Sequence, residues 1–401
     1  MTRPRDARWP GPLAVLSEVR RTPGVTRAEA ARRLGLGSGS ATEITARLRA
    51  LDLLDEVPAP AVGRGRPTTR LLPHPRGPLV AVVEVRYEGW RCALAGIDGR
   101  PAAVAAGRPA HDAEQQVVRE IADALRDLRQ RHGHRLRAVS VSVAAAVRHR
   151  RLVRPTILGW DPTDLSGILP DGAGATPLVI GNDATLAGLA EARGGAGLGA
   201  GTVLHLTVEV GLGGVLVIDG VPAVGGSGAG GEYGHMPFGD RSRRCPCGAR
   251  GCWDNEVDGR ALARHLGAGT PDDPRAFALD VLQRAEHDAE AAGAVRKVAD
   301  ALATGIAGLV NAHDPDVVTL GGLAPLIRAA AQPDFDAAYL DGLMEFRRAD
   351  PIPLRAASLG DDGALIGAAA AGLDVVLSES GLDDWAADLD PDRPATTGSG
   401  T

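Results

Sequence analysis

The chain has 401 residues with 44 Lys or Arg and 50 Asp or Glu, and its net charge of −6 conceals a basic front: the first 76 residues carry 14 basic against 7 acidic side chains. Four cysteines exclude a disulfide scaffold, aromatics at 3% leave few stacking platforms for single-stranded nucleic acid, and no run reaches the ~20 apolar residues of a membrane span. The N-terminus lacks the apolar core of a signal peptide, so a cytoplasmic protein without a membrane partner is expected.

Leu13, Leu16 and Val19 recur at helical spacing until the Pro23-Gly24 turn. Thr26 and Glu29 have the spacing of a capping box for a second helix, and Ser40 and Glu43 that of another, ahead of a third helix bearing Ile44, Leu48 and Leu51. Three helices with a tight turn before the last describe a helix-turn-helix. A strand over 53–57 and a returning strand over 69–72 add a wing, whose tip reads Gly63-Arg64-Gly65-Arg66-Pro67. The third helix offers Ser40, Thr42, Thr45, Arg47 and Arg49 to the major groove of double-stranded DNA, and the thin wing would carry Arg64 and Arg66 into a minor groove. A helical protein-interaction domain with a solvated arginine face is the alternative; fold pattern, charge and wing together favour DNA. One such module buries too little DNA for tight specific binding, so a homodimer or homotetramer is expected.

Prolines punctuate 73–78 as a linker. Beyond it, strands 79–84 and 90–97, a helix over 113–131 and a strand over 136–143 form one round. Strand 177–180, helix 184–193, strands 202–209 and 214–218, helices from Gly259 and a strand over 317–320 form a second. Two such rounds predict a two-lobed α/β body with a cleft between the lobes.

His235, Cys245, Cys247 and Cys252 spell His-x9-Cys-x-Cys-Gly-x2-Gly-Cys, a four-ligand set that closes a tetrahedral site and so predicts structural zinc. Cys92, on an apolar strand, reads as core. Asn182-Asp183 at a strand end could chelate adjacent hydroxyls of a ligand, with Glu232 and His235 on another edge; the same Asn-Asp pair also serves as a turn or helix cap.

These residues resemble the ROK family of repressors and sugar kinases, including the xylose- and N-acetylglucosamine-type repressors. The resemblance rests on Gly181-Asn182-Asp183-Ala184, Glu191-Ala192-Arg193, Gly231-Glu232-Tyr233-Gly234-His235-Met236 and Cys245-Pro246-Cys247-Gly248-Ala249-Arg250-Gly251-Cys252. It implies an actin-like, hexokinase-type body, sugar contacts from Asn182, Asp183, Glu232 and His235, and a His235 that bridges sugar and metal. In kinase members Asp183 would be the general base.

Departures at both the phosphate and the sugar positions bear on that implication. Where family kinases carry an Asp-x-Gly-Gly-Thr phosphate loop, this chain reads Glu84-Val85-Arg86-Tyr87-Glu88, and the second loop reads Glu209-Val210-Gly211-Leu212-Gly213. Carboxylates at these places would repel a polyphosphate, so no ATP and no kinase activity are expected. On the sugar side, Asp254 stands where the family usually has a glutamate, with Glu256 as a substitute, and 144–147 lacks the usual Pro-Gly pair. The expectation is a winged helix-turn-helix over 1–76, a two-lobed effector body over 77–380 and a disordered tail over 381–401. The expected function is a transcriptional repressor binding operator DNA and a sugar or related metabolite. A sugar kinase with an appended DNA-binding domain, or a regulator without a ligand, are the alternatives.

Overall fold

The computed structural model describes residues 8–59, 69–107, 114–148, 151–153, 158–169 and 176–389. Helix α1 (Pro10–Arg21) opens with proline in its first turn, where a missing N–H costs nothing, and buries Val15, Leu16 and Val19. Thr26 caps α2 (Arg27–Arg33) through a complete capping box with Glu29. Helix α3 (Ser38–Ala50) corrects the expected second box: Gly37 occupies the N-cap position, so Ser40 and Glu43 already lie inside the helix. Gly35, at φ +64°, reverses the chain tightly enough for the helix to start three residues early. Strands β1 (Leu54–Pro58) and β2 (Thr69–Pro73) then pair antiparallel from Leu54↔Pro73 to Pro58↔Thr69. Arg64 and Arg66 lie outside the described residues.

The first lobe contains β3 (Leu79–Arg86), β4 (Gly89–Ala95), β5 (Pro101–Gly107), α4 (Glu114–His132), β6 (Leu136–Val143), the small hairpin β7 (Ala146–Arg148) and β8 (Arg151–Val153), β9 (Leu178–Asn182) and α5 (Asp183–Gly194). The second contains β10 (Thr202–Glu209), β11 (Gly211–Ile218), β12 (Val221–Pro222), α6 (Gly259–His265), α7 (Pro274–Arg284), α8 (Ala289–His313), β13 (Val317–Gly322), α9 (Ala324–Ala330), α10 (Gln332–Gly342), α11 (Glu345–Arg348) and β14 (Leu354–Ala356). The sheets are ordered β5-β4-β3-β6-β9 and β12-β11-β10-β13-β14. Each begins as an antiparallel meander of three strands and adds two parallel strands beside the first, so one plan is used twice. The parallel strands β6 and β13 are apolar along most of their length, as strands covered on both faces must be. Cys92 is fully buried on β4, and burial pushes its thiol up to about 12.

Helix α12 (Gly363–Val376) packs on α5, β3 and β6, and glycines make the contact close: a Cβ on Gly367 would lie 1.8 Å from the Leu186 carbonyl oxygen. Helix α13 (Glu379–Leu389) follows, so residues 381–389 are not part of a disordered tail. The segment is acidic, but Leu382, Trp385 and Ala386 share one face and are buried in a core with Trp9, Leu16 and Leu54 of the N-terminal module and Val80 of the body. Trp385 donates to the Leu51 carbonyl at 2.7 Å and Trp9 to Asp383 at 2.9 Å. The linker is pinned as well, since Arg135 donates to the carbonyls of Gly77 at 3.1 Å and Pro75 at 2.7 Å. No single helix among the described residues is long and apolar enough to cross a membrane.

Candidate functional site

A 3-10 turn over Tyr233–His235 follows Gly231, whose φ of +92° and contact with the Gly214 backbone leave no room for a Cβ. The turn delivers His235 to three sulfurs. Cys245, Cys247 and Cys252 hang on a loop tied by Cys245 N–H to Ala249 O at 2.9 Å and Gly251 N–H to Arg243 O at 3.0 Å. The loop is anchored by Trp253, which is buried, donates to the Ala301 carbonyl at 2.9 Å and lies against Gly305 of α8. The four ligand atoms lie within 4.8 Å of one another, with Cys247 Sγ 3.6 Å from Cys252 Sγ and Cys245 Sγ 3.8 Å from His235 Nδ1. Ligands about 2.1 and 2.3 Å from a central ion would stand about 3.6–3.8 Å apart at the corners of a tetrahedron, so the residues fit a closed four-ligand metal centre.

The other ring nitrogen, His235 Nε2, faces Glu232 Oε2 at 3.7 Å, placing a carboxylate behind a metal-facing imidazole. Burial pushes the Glu232 carboxyl up; His235 works against this and Asp254 adds to it. Asp254 itself has both oxygens engaged, accepting from Leu212 N–H at 2.6 Å and pairing with Arg260 at 3.1 Å. It therefore fixes the start of β11 and is not available as a free carboxylate for a ligand. Glu256 does not replace it, because it accepts from Asp240 N–H and pairs with Arg264, both at 3.3 Å.

Asn182 turns out to be the N-cap of α5: its side-chain oxygen accepts from Thr185 N–H at 3.1 Å and its amide donates to the Ala145 carbonyl at 3.3 Å. Asp183 is the next residue. Burial, with Glu84 and Glu209 nearby, pushes its carboxyl up to about 6 against the opposing Ala184 N–H and Arg86. A carboxylate held there is suited to accept a proton at neutral pH. The glycine strand at the start of β11 runs between the two groups. A Cβ on Gly213 would strike Ala184 beside Asp183, and one on Gly214 would meet Tyr233 beside Glu232.

The regions expected to repel phosphate are built differently. Strands β3 and β4 close at Arg86↔Gly89, so a two-residue turn stands where a phosphate loop would be. Glu84 is fully buried between Arg86, at 2.9 Å, and Arg91, so it is no bare negative charge. Arg91 continues to Asp362 at 2.7 Å and the Asp361 carbonyl at 2.8 Å, and Arg86 also donates to that carbonyl. Across the cleft, Arg275 of α7 holds Glu209 at 2.5 Å and approaches Asp361 at 3.7 Å, while Tyr87 donates to the Asp272 carbonyl at 3.3 Å. The second loop is likewise drawn into the β10–β11 hairpin as far as Glu209↔Gly211. Occupation by the protein's own ion pairs, rather than simple repulsion, is what a polyphosphate would meet. These arginines were not identified from the sequence, because Arg91 and Asp362 are 271 positions apart.

On the N-terminal module, Ser40 and Thr42 are exposed on α3 and Arg49 is exposed but paired with Glu56 at 3.2 Å. Thr45 is buried and donates to the Ala41 carbonyl at 2.8 Å, which removes it from the candidate DNA face. Arg47 lies over the Trp9 ring, 4.1 Å from its centroid, and donates to the Arg8 carbonyl at 2.8 Å. It is thereby held on the module's own surface.

Residues 88–374 match the model of the ROK family. A glucokinase of Streptomyces coelicolor is 30% identical over 234 residues, 53% of this chain and 72% of that protein. A ROK hexokinase from Thermus thermophilus superposes with a TM-score of 0.60 at 29% identity, covering 74% of this chain and 99% of its own. A ROK family transcriptional regulator, a homologue of the E. coli Mlc protein, superposes with a TM-score of 0.72 at 19% identity and covers 93% of this chain and 96% of its own.

Proposed function

The chain belongs to the ROK family, and from that membership we propose that it is a dimeric transcriptional repressor that binds operator DNA through residues 1–76 and a sugar or related metabolite between the lobes of its body. The carrying observation is the module of α1–α3 with the β1–β2 hairpin, docked on a kinase-like body. A hexokinase fold matches 74% of the chain, whereas a regulator fold matches 93%. Ser40, Thr42 and Arg49 would face the duplex, joined by Arg64 and Arg66. His235, Cys245, Cys247 and Cys252 hold Zn2+, which fixes the loop carrying His235 and so the position of Glu232. Ligand at Asp183, Glu232 and His235 would favour one lobe arrangement, and α13, packed between body and module, would pass that preference to the DNA-binding helices.

The reading excludes ATP because Arg86, Arg91 and Arg275 hold carboxylates across the phosphate region. The competing reading, a sugar kinase with a DNA-binding appendage, is favoured by Asp183, whose carboxyl lies near 6. Calorimetric titration with Mg-ATP decides between them: no heat of binding is expected, and binding accompanied by sugar phosphorylation would replace the repressor with the kinase.

A further inference from the structure

Resting on the DNA-binding reading, we propose that Glu43 reads a base: its carboxylate accepts a hydrogen bond from the exocyclic amine of a cytosine in the major groove. Three ionisable side chains stand on α3: Arg47 is held by Trp9 and the Arg8 carbonyl, and Arg49, although exposed toward the duplex, already pairs with Glu56, so Glu43 is the one left without a partner among the described residues of the module. Arg47 is one helical turn beyond Glu43 and would ordinarily form an i,i+4 pair with it. Its stack on Trp9 leaves Glu43 exposed and, among the described residues, without a hydrogen-bond or ion-pair partner. Nor does Glu43 cap the helix, because α3 begins at Ser38 behind Gly37.

Apart from Arg47, which is drawn onto Trp9, the neighbours of Glu43 on its own face are small. Gly39 and Ser40 stand one turn before it and Ala46 one turn after, all exposed. A helix face of glycine, serine and alanine can enter the groove closely, and Glu43 then projects furthest toward the base edges. A carboxylate accepts and cannot donate, so it discriminates by chemistry. Guanine N7 and O6 and thymine O4 offer only acceptors, while cytosine N4 offers a donor whose neighbour on its own base is the C5–H edge rather than an acceptor. Adenine also has a donor but sets the N7 acceptor beside it, which favours an amide over a carboxylate.

The test is selection of duplexes from a randomised library by the full-length zinc-loaded protein, by E43A and by E43Q. Wild type is expected to select a motif with a fixed cytosine in each half-site. In E43A that single position should relax by about fivefold or more, with the slope of affinity against salt unchanged, because no phosphate contact is lost. In E43Q the preference should move toward adenine, since glutamine pairs with N6 and N7 together. A wild-type motif retained unaltered by E43A overturns the proposal while leaving DNA binding intact. Uniform tightening by E43A on every sequence also overturns it, since Glu43 would then only repel the backbone. If wild type selects no duplex at all, the DNA-binding reading fails and Glu43 with it.

Discussion

The two sides of the cleft have been treated differently. On the metal side, the carboxylate, imidazole and sulfurs are brought together by a loop and a single 3-10 turn, and Glu232 and His235 remain part-exposed beside β11. On the phosphate side, Arg86, Arg91 and Arg275 each meet a carboxylate of the chain, and the two-residue β3–β4 turn leaves no cradle. A cleft of this fold can therefore leave polar side chains open on one side while the chain's own ion pairs fill the other. Kinase chemistry needs both, whereas ligand-dependent change of shape needs only one.

The largest effect of substitution is expected on the metal side. Cys247→Ser should reduce bound zinc from one equivalent to near zero and lower the thermal midpoint, because binding energy at such a site is folding energy. Elemental analysis of the purified variant checks it, and retained zinc would remove Cys247 from the ligand set. On the filled side, Arg91→Met takes one of two guanidinium partners from the buried Glu84. The expected loss is about 2 kcal/mol, less than for a wholly unpaired buried charge because Arg86 stays. Denaturant unfolding measures it, and adding Glu84→Gln should recover most of the loss.

A smaller effect belongs to Asp183, on the boundary between the two sides. Its carboxyl is held at about 6, above the ordinary 3.8, so the folded state binds its proton more tightly than the unfolded state does. Stability is then lost as pH rises from about 4 to about 6, and the penalty persists above that. Asp183→Asn should raise the thermal midpoint by a few degrees at pH 7.5, equivalent to roughly 1–2 kcal/mol, and by almost nothing at pH 4. An equal rise at both pH values would assign the effect to packing instead.

What the sequence revealed and what it hid follow from distance along the chain. Motifs confined to a few residues were legible: the Thr26–Glu29 box formed, the strands expected over 79–84 and 90–97 pair as β3 and β4, and His235, Cys245, Cys247 and Cys252 came together in one cluster. The Ser40–Glu43 box was misread because Gly37 and Ser38 permit an earlier helix start, a choice that local pattern leaves open. Acidity hid α13, whose order comes from Trp385 and Leu382 meeting residues more than 300 positions away. The same limit applied to the cleft. Glu84 and Glu209 were visible as charges, but the arginines that neutralise them become neighbours only in the fold, and Asp254 could not be seen to be engaged in fixing β11; for Asn182 the helix-cap reading, one of the two its pairing with Asp183 allows, is the one that formed.

The central claim is that this kinase-like body serves a DNA-binding regulator. Genome-wide capture of duplex fragments by the full-length, zinc-loaded protein tests it most directly. The account predicts strong enrichment of a few fragments, each with two related half-sites spaced by one helical turn of about 10–10.5 base pairs or a multiple of it. Recovery of fragments at random, no better than non-specific binding, would contradict it.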